Sequence, residues 1–492
     1  MVRLCQQNLS KLHPSVLLPG YLEPKAGIVH LGLGQFAKAH LAYYTDSIMN
    51  LDGGDWGIVG ASLRSSAAAG VLQPQDNLFT VTSHSFNKTE IRVIGSLLEV
   101  TAVSVGGRER LLDRMTDPAI SIVSLTVTEQ GYYCNGAGEL DFAHPDIQAD
   151  LSAPDQPITA IGWIVLAAKR RRLTGAPPFT ALSLDNLIGN GQVLRRVVLA
   201  FANRVDSQLA TYIESKVAFP STMVDRIVPA LDADALTATT QRLGMVDEAC
   251  VLTETFSQWV IEDRFVSRRP AWEKAGVVFC DDVTPFETMK LRLLNGAHSS
   301  LAYLGILLGH QTVADCMNDS TLRTFIESLM RTEIQPEVVP PQGFDLDQYI
   351  NQLLTRFGNP HLRHSCAQIA MDGSLKIPQR LLPVLEERLS MGLCVRYLVF
   401  ALAAWMAFVQ QQEPLLDPLG ATLRTLVDGN AINGNSGAGL VSELLNSSGI
   451  FSKGLQDSPV LHLQLTAAVV DIRQLGVSMA LTKCLNTESD SI

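Results

Sequence analysis

Residues 28–37 read IVHLGLGQFA, and this stretch decides the fold. An apolar, β-branched run leads directly into Gly32 and Gly34, and a helical pattern follows. A strand, a Gly-x-Gly-x-x-Ala turn and a helix in this order favour a dinucleotide site, because the first glycine permits the tight turn and the second lets the backbone approach a pyrophosphate. The small Ala37 allows close packing of helix and strand. An ordinary strand-to-helix turn can show the same spacing, so the position on the first strand of an α/β series is what favours a cofactor.

The first half of the chain alternates short strand-like runs with helical patterns. Runs that are apolar on both faces are typical of a buried parallel sheet, and they occur at residues 27–31, 56–61, 91–95, 120–126 and 179–184. After about Asp282 the segments are long, rich in Leu and Ala, and spaced for helices, as at residues 322–331, 346–357 and 461–475. We therefore predict an α/β domain over residues 1–284 with a mostly parallel sheet, an all-α domain over residues 285–492, and an active site in the cleft between them.

The charge balance limits the class of partner. The 492 residues include 38 basic and 49 acidic side chains, so the net charge is −11, which argues against nucleic acid and anionic membranes as partners. The one dense basic run, residues 169–172, is interpreted as the solvated end of a surface helix. A small-molecule substrate is favoured, and the large subunit and two-domain plan are compatible with a monomer.

The cysteines and apolar segments indicate an intracellular protein. The eight cysteines are scattered and none has the two-residue spacing of a zinc or redox motif. The first ten residues lack the apolar core of a signal peptide. Residues 393–409 contain Arg396 and fall short of the ~18 uninterrupted apolar residues that a membrane span needs, so they predict a buried helix. The expected location is the cytoplasm.

The end of the second predicted strand bears on the choice of cofactor. An acidic residue there usually holds the 2′-hydroxyl of NAD. Residues 61–66 read ASLRSS, with no carboxylate and one cation, Arg64. NAD is the expected cofactor, and NADP stays open as the alternative.

Residues 285–305 predict a helix that carries chemistry. At about 100° per residue, with Lys290 at zero, Glu287 lies at about 60°, Asn295 at about 140° and His298 at about 80°, so four polar groups share one arc. A lysine buried in a cleft has a lowered pKa and can exchange a proton with an alcohol. Asn295 can donate to an oxygen that gains negative charge, His298 can orient the hydroxyl, and Glu287 can pass the proton to solvent. A surface helix with a polar face would show the same periodicity.

Lys290, Asn295 and His298 match the K-x-x-x-x-N-x-x-H motif of the polyol-specific long-chain dehydrogenase/reductase family, which this chain resembles. Further matching blocks follow in order along nearly the whole chain, at residues 32–40, 124–129, 184–191, 219–229, 258–263 and 371–378. The resemblance implies a Rossmann-type first domain, a helical second domain, no metal, and hydride transfer between a nicotinamide cofactor and a sugar-derived secondary alcohol or ketone.

The resemblance also assigns roles by motif position. It implies Lys290 as the general acid/base, Asn186 with Asn295 as the pair that stabilises the oxyanion, His298 as a substrate ligand and Glu287 as the proton-channel carboxylate. Beside Gly32, Gly34 and Arg64, the matching blocks place Phe36, Glu129 and Asp225 at the cofactor.

The chain departs from the family directly after the glycines. The family has Phe-His-Arg-Ala-His where this chain has Phe36-Ala37-Lys38-Ala39-His40. Lysine lacks the planar fork of arginine, so we expect weaker phosphate or cofactor contacts here. This departure motivates an alternative of another class, an inactive nucleotide-binding regulator.

Two branches of the family compete as the source of the substrate. Residues 8–12 and 17–21 resemble mannitol 2-dehydrogenases, whereas residues 289–296, 359–364 and 368–374 resemble fructuronate reductases. A carboxylate on the substrate needs cations, and Arg363, Lys376 and Arg380 are available, although surface ion pairs would equally explain the two arginines. The sequence therefore favours D-mannonate and D-fructuronate, with D-mannitol and D-fructose, or another polyol, as the alternative.

Overall fold

The structure is a computed structural model that describes residues 1–231, 233–432 and 436–487. The chain divides into two compact units, Met1–Thr284 and Pro285–Ile492, called unit 1 and unit 2 below. Unit 1 mixes strands and helices, whereas the described part of unit 2 contains helices and no strand.

The strands of unit 1 form three sheets. They are β1 (Ala26–Leu31), β2 (Gly57–Ser62), β3 (Phe79–His84), β4 (Thr89–Ile94), β5 (Leu97–Ala102), β6 (Ile122–Leu125), β7 (Thr180–Ser183), β8 (Thr222–Asp225), β9 (Val251–Glu254), β10 (Gln258–Glu262) and β11 (Val278–Cys280). The largest sheet has the order β5-β2-β1-β6-β7, and each of its strand pairs is parallel. Its strands are almost entirely buried, which is why they are apolar on both faces. The Rossmann-type parallel sheet predicted from the sequence is confirmed.

The pattern at residues 91–95 predicts a strand of the parallel sheet, and this is wrong. These residues belong to β4, which pairs antiparallel with β3 in a smaller sheet of order β4-β3-β9. The outer strand of the parallel sheet is instead β5, which lies beside β2. The apolar pattern reports burial and does not identify the strand that a run pairs with. The third sheet has the order β11-β10-β8.

The helices of unit 1 are α1 (Gln35–Ala37), α2 (Tyr43–Asp52), α3 (Ala67–Leu72), α4 (Arg108–Thr116), α5 (Pro145–Ser152), α6 (Ala160–Thr174), α7 (Asn190–Val205), α8 (Ser207–Lys216) and α9 (Ala233–Leu243). A π-helical segment, Lys38–Ala42, joins α1 to α2, so the helical run that follows the glycines extends from Gln35 to Asp52. Short 3-10 turns lie at Gln6–Lys11, Gln73–Gln75, Val103–Val105, Glu129–Tyr132 and Trp272–Ala275.

The basic run at the end of α6 is only partly on the surface. Arg171 is fully buried, and its guanidinium donates to the carbonyl oxygens of Met115, Asp117, Ile120 and Pro177. The interpretation of residues 169–172 as a solvated helix end is therefore wrong for Arg171, because a guanidinium with enough carbonyl partners tolerates burial.

Unit 2 is built from helices α10 (Thr284–Met289, which begins at the boundary), α11 (Gly296–Leu308), α12 (Val313–Asn318), α13 (Ser320–Ser328), α14 (Leu346–Phe357), α15 (Cys366–Ala370), α16 (Gly373–Arg380), α17 (Leu382–Ser390), α18 (Arg396–Gln411), α19 (Gly420–Ile432), α20 (Gly437–Ser447), α21 (Lys453–Gln456), α22 (Pro459–Leu475) and α23 (Val477–Asn486). Two π-helical segments, Lys290–Asn295 and Leu329–Ile334, and a 3-10 turn at Gln335–Glu337 interrupt them. The helices predicted at residues 346–357 and 461–475 are confirmed, and the one predicted at 322–331 runs from α13 into the second π segment.

Helix α18 forms the centre of unit 2. Residues 397–409 are all buried, and the helix packs against α11 and α22. This confirms the buried helix expected from the apolar stretch at residues 393–409. Across the described ranges, none of the helices combines the length and the apolar character that crossing a lipid bilayer requires.

Candidate active site and cofactor cleft

Unit 1 contains a cleft of ≈ 360 Å³ at the carboxyl ends of β1, β2 and β6. Its walls come from the turn after β1, from residues 62–64 after β2, from the loop after β6, and from the chain that leads into α5 and α6. Strand β1 lies between β2 and β6, so the chain reverses its direction of winding at β1. A crevice at the carboxyl ends of the strands beside such a switch point is where dinucleotides bind in this type of sheet.

The two glycines after β1 shape this end of the sheet. Gly32 has a φ of +88°, and a Cβ added there would come within 2.1 Å of the Thr126 carbonyl oxygen, so only glycine fits. At Gly34 an added Cβ would meet only the Gly32 carbonyl oxygen, at 3.9 Å, which leaves the space before the helical run open. The turn therefore fits a pyrophosphate, because backbone N–H groups at the start of a helix favour anions.

Arg64 lies at the end of β2 and lines the cleft, as expected. Its guanidinium donates to Asp146 Oδ2 (2.6 Å) and to Tyr133 Oη (2.7 Å). The phenol of Tyr133 in turn donates to the same carboxylate oxygen, at 2.9 Å. The cation that the sequence places at this position is thus paired with a carboxylate that comes from α5.

Phe36, Glu129 and Asp225, which are also predicted to contact the cofactor, do not line this cleft. Phe36 is in α1 and stacks on the His40 ring, with 5.0 Å between ring centroids. Glu129 is exposed and begins the 3-10 turn in the loop after β6. Asp225 is buried at the end of β8, in a separate sheet. Their roles at the cofactor stay predictions.

Lys38, which replaces the arginine of the family, contacts residues of unit 1, and the weaker cofactor contact expected from the replacement stays a prediction. Its side chain is buried, and Nζ donates to the Ala249 carbonyl oxygen at 2.7 Å. Nζ also lies 5.5 Å from the centre of the Phe79 ring. Burial lowers the pKa of the Lys38 amine to about 8, although the nearby Asp247 opposes this shift. The amine therefore belongs to the interior of unit 1.

Asn186 lies exposed in the bend that follows β7, at the same edge of the sheet as the cleft. The neighbouring Asp185 accepts hydrogen bonds from the backbone N–H groups of Val127 (3.0 Å) and Thr128 (2.9 Å) and from Tyr132 Oη (2.8 Å). These bonds tie the bend to the loop that lines the cleft. Asp185 thus helps to hold the bend that carries Asn186.

The predicted catalytic residues of unit 2 follow one another across α10, a π segment and α11. Glu287 is in α10, Lys290 and Asn295 begin and end the π segment, and His298 is in the first turn of α11. All four are buried, with 6–8% of their surface exposed. The regular α-helix predicted over residues 285–305 is wrong at Lys290–Asn295, because the wider π turn replaces it and changes the angles calculated for an α-helix. Such π segments are frequent at functional sites.

His298 is a neutral imidazole inside a group of cations. Burial lowers its pKa well below the ordinary 6.5, and electrostatic interactions with His364, Arg356, Arg380 and Lys290 lower it further. The ring therefore stays uncharged at neutral pH. Its Nε2 atom is buried and has no hydrogen-bond partner among the described residues. A buried nitrogen in this state can form a hydrogen bond with a bound polar group.

His364 is a second neutral imidazole at the same place, and the sequence analysis did not select it. Its ring lies perpendicular to that of His298, with 5.2 Å between the ring centroids. The Phe357 ring also packs against His298, with 4.5 Å between their centroids. Burial lowers the pKa of His364 to about 4, with a further effect from Lys376. The Nδ1 atom of His364 is buried and lacks a hydrogen-bond partner in the described part of the chain. The matching block at residues 359–364 contains this histidine and was the available signal.

The three predicted substrate cations differ in their surroundings. Arg380 donates from Nη1 to Ser299 Oγ at 3.0 Å, next to His298 in the sequence. Lys376 donates from Nζ to the Met371 carbonyl oxygen at 2.6 Å. Arg363 is exposed and has a left-handed backbone, with φ of +42°. The structure thus brings Arg380 to the imidazoles and Lys376 close to one of them, and the role of Arg363 stays a prediction.

Comparison with known proteins decides the family. The profile of the mannitol dehydrogenase Rossmann domain matches residues 26–274, and that of the mannitol dehydrogenase C-terminal domain matches residues 282–473. The chain belongs to the mannitol dehydrogenase family. D-mannonate oxidoreductase of Escherichia coli (strain K12) is 41% identical over 481 residues, which cover 97% of this chain and 98% of that protein.

Two solved structures resemble the chain over nearly its whole length. One is the Pseudomonas fluorescens mannitol 2-dehydrogenase in a ternary complex with NAD and D-mannitol, at 37% identity and a TM-score of 0.89, covering 99% of this chain and 100% of that one. The other is a D-sorbitol dehydrogenase in substrate-free form, at 31% identity and a TM-score of 0.87, covering 98% and 100%. The resemblance drawn from the motifs is confirmed, and the protein is an oxidoreductase that acts on CH–OH groups. Membership of this family favours an enzyme over an inactive nucleotide-binding regulator.

Proposed function

We propose that this protein is an NAD-dependent oxidoreductase that interconverts D-mannonate and D-fructuronate. The observation that carries the proposal is the buried group around His298, where an unpartnered imidazole nitrogen lies near the guanidinium groups of Arg356 and Arg380 and near the Lys290 amine. Similarity to an NAD-bound mannitol 2-dehydrogenase and to a D-mannonate oxidoreductase supports the cofactor and the substrate class.

Bound NAD would accept a hydride from the carbinol carbon of the substrate. Lys290 would take the hydroxyl proton as its general base, and would return it when the ketone is reduced. Asn295 would donate a hydrogen bond to the oxygen as it gains negative charge, and neutral His298 would hold the same oxygen through Nε2. Glu287 would pass the proton on to solvent. The contribution of Asn186 to the oxyanion pair stays a prediction.

The positive charges favour a sugar acid over a neutral polyol. A bound carboxylate would place a negative charge beside these side chains, and hydrogen bonds between charged partners are stronger than those between neutral ones. Arg380 is suited to this role, because a guanidinium binds a carboxylate through two parallel hydrogen bonds and its Nη1 already lies at Ser299 beside His298. Lys376 and Arg363 are further candidates for the distal end of the substrate.

A neutral polyol is the second candidate. The Pseudomonas fluorescens mannitol 2-dehydrogenase, with D-mannitol bound, superposes on this chain with a TM-score of 0.89. In the proposed mechanism Lys290, Asn295 and His298 contact only the reacting alcohol, so they would act on D-mannitol as well as on D-mannonate.

A substrate panel with a matched pair of variants tests the proposal. The purified protein is assayed with fructuronate, tagaturonate, fructose and their reduced partners, using NADH and NADPH in turn. Replacing Arg380 by Met should lower kcat/KM for fructuronate roughly tenfold or more and change that for any neutral ketose much less. Replacing exposed Arg323 of α13 by Met is the control for loss of one arginine. Turnover of fructose without any uronate would establish the polyol alternative, and no turnover of any member would contradict the proposed function.

Two further properties are part of the proposal. Independence of a metal ion predicts full activity after dialysis against a chelator. A cytoplasmic location predicts that the activity is recovered in the cytosolic fraction of cells that express the protein.

A further inference from the structure

We infer that Asp146 sets the preference for NAD over NADP, by supplying the carboxylate that the end of β2 lacks. The inference rests on the proposed function, since it takes the cleft of unit 1 as the nucleotide site. It concerns one feature of that site, the place where the ribose next to the adenine carries either a 2′-hydroxyl or a 2′-phosphate.

The position of Asp146 follows from contacts between distant parts of unit 1. Residues 61–66 at the end of β2 contain no acidic side chain. Asp146, the second residue of α5, reaches this end and contacts Arg64 at 2.6 Å, and both residues line the cleft. A carboxylate is therefore present where NAD-binding sheets usually have one, although it comes from a different part of the chain.

The surroundings hold the Asp146 side chain in place. Tyr133 Oη donates to its Oδ2 at 2.9 Å, and the His144 ring packs edge-on against Tyr133, with 4.7 Å between centroids. The backbone N–H of Asp146 donates to His144 Nδ1, which caps α5. Burial, together with the hydrogen bond to Asp146, raises the pKa of Tyr133 to about 12, so the phenol keeps its proton and stays a donor.

This arrangement discriminates between the two cofactors through charge. A ribose 2′-hydroxyl can donate a hydrogen bond to the Asp146 carboxylate. A 2′-phosphate is repelled by it, and Arg64, the one lysine or arginine among the described residues that line the cleft, is already engaged by Asp146 and Tyr133. Removing the carboxylate would release the guanidinium for a phosphate, to which its planar fork is suited.

The pair contributes little to the stability of unit 1. The Arg64 side chain is 74% exposed, and exposed ion pairs are worth about 0–1 kcal/mol. Variants at Asp146 should therefore fold, so their nucleotide affinities can be compared with those of the original protein.

Equilibrium binding to the full chain tests the inference without reference to turnover. Isothermal titration calorimetry with NADH, NADPH, 5′-AMP and 2′,5′-ADP gives the four dissociation constants for the original protein, Asp146→Ala, Asp146→Asn and the double variant Arg64→Ala/Asp146→Ala. Glu214→Ala is the matched control, because Glu214 pairs with Arg195 at 2.7 Å elsewhere on the surface of unit 1. Melting curves establish that each variant is folded.

We expect the original protein to bind NADH more tightly than NADPH. Asp146→Ala should weaken the binding of NADH about tenfold and strengthen the binding of NADPH and 2′,5′-ADP about tenfold. Asp146→Asn should show the same gain in affinity for NADPH with a smaller loss of affinity for NADH. In the double variant the gain in NADPH should disappear, and Glu214→Ala should match the original protein.

Tighter binding of NADPH by the original protein would overturn the inference, and so would an Asp146→Ala variant with unchanged constants; both results leave the proposed function standing. Failure of the original protein to bind NADH or NADPH at all would instead contradict the proposed function.

Discussion

Glu333 offers a sharp test of the electrostatics of unit 2. Its carboxylate is 2% exposed and accepts hydrogen bonds from the backbone N–H groups of Tyr397 (2.9 Å) and Leu398 (2.8 Å) at the start of α18. Burial raises its pKa from 4.5 to about 7, although these bonds and the charges of Arg388 and Arg396 oppose the shift. Between the two values the folded protein binds a proton that the unfolded chain does not, so this group contributes stability that is fully present below pH 4.5 and is lost as pH rises through about 7.

The magnitude follows from the two pKa values. The interval from 4.5 to about 7 corresponds to about 3 kcal/mol at 1.36 kcal/mol per pH unit, and most of it falls between pH 5 and pH 8. The glutamine of Glu333→Gln cannot ionise, so this variant does not lose that stability. Its free energy of unfolding should therefore rise by this amount relative to that of the original protein between pH 5 and pH 8. For a unit of this size the difference between the two melting temperatures should change by roughly 5–10 °C.

Differential scanning calorimetry of both proteins at pH 5, 6, 7 and 8 measures this change. Glu327→Gln is the control, because Glu327 is a surface carboxylate of α13, 41% exposed and paired with Arg331. If the melting temperatures of Glu333→Gln and the original protein run parallel across this pH range, the buried carboxylate does not titrate as described and the reasoning is refuted.

Three further predictions concern activity, cofactor binding and pH. Lys290→Met should lower kcat by roughly 10²- to 10⁴-fold and leave the dissociation constant of NADH nearly unchanged, because proton transfer and not docking is removed; a loss of NADH affinity in fluorescence titration would contradict this. Gly32→Ala should abolish NADH binding, since its Cβ would lie 2.1 Å from the Thr126 carbonyl oxygen, whereas Gly70→Ala, which meets nothing within 4 Å, should bind normally in the same titration. Lys38, with its pKa lowered to about 8, destabilises the folded state below that pH, and the penalty fades as pH rises towards 10.5. Between pH 7 and pH 9, the free energy of unfolding in urea should rise by roughly 1 kcal/mol more for the original protein than for Lys38→Met. A constant difference between the two proteins would exclude a buried, titrating amine.

Features that depend on neighbouring residues could be predicted from the sequence alone. The turn at Gly32 is one, because the need for a positive φ between a strand and a helix is local. The long helices of unit 2 are another, because their apolar spacing repeats within each segment, as at residues 346–357. The spacing of Lys290, Asn295 and His298 did not by itself indicate the class of chemistry; their match to a family motif did.

Features that depend on contacts between distant residues were decided only by the tertiary structure. Arg171 belongs to a basic run that resembles a solvated helix end, yet four carbonyl oxygens from other segments surround its guanidinium. Arg64 meets Asp146 across 82 positions, and His364 meets His298 across 66 positions, so neither partner could be inferred from its own surroundings in the chain. Hydrophobic spacing and turn chemistry act over a few residues and therefore fix helices, strands and glycine turns. Burial, ion pairing and the pKa of a side chain depend on what the folded chain brings within a few ångströms, and only the structure supplies that.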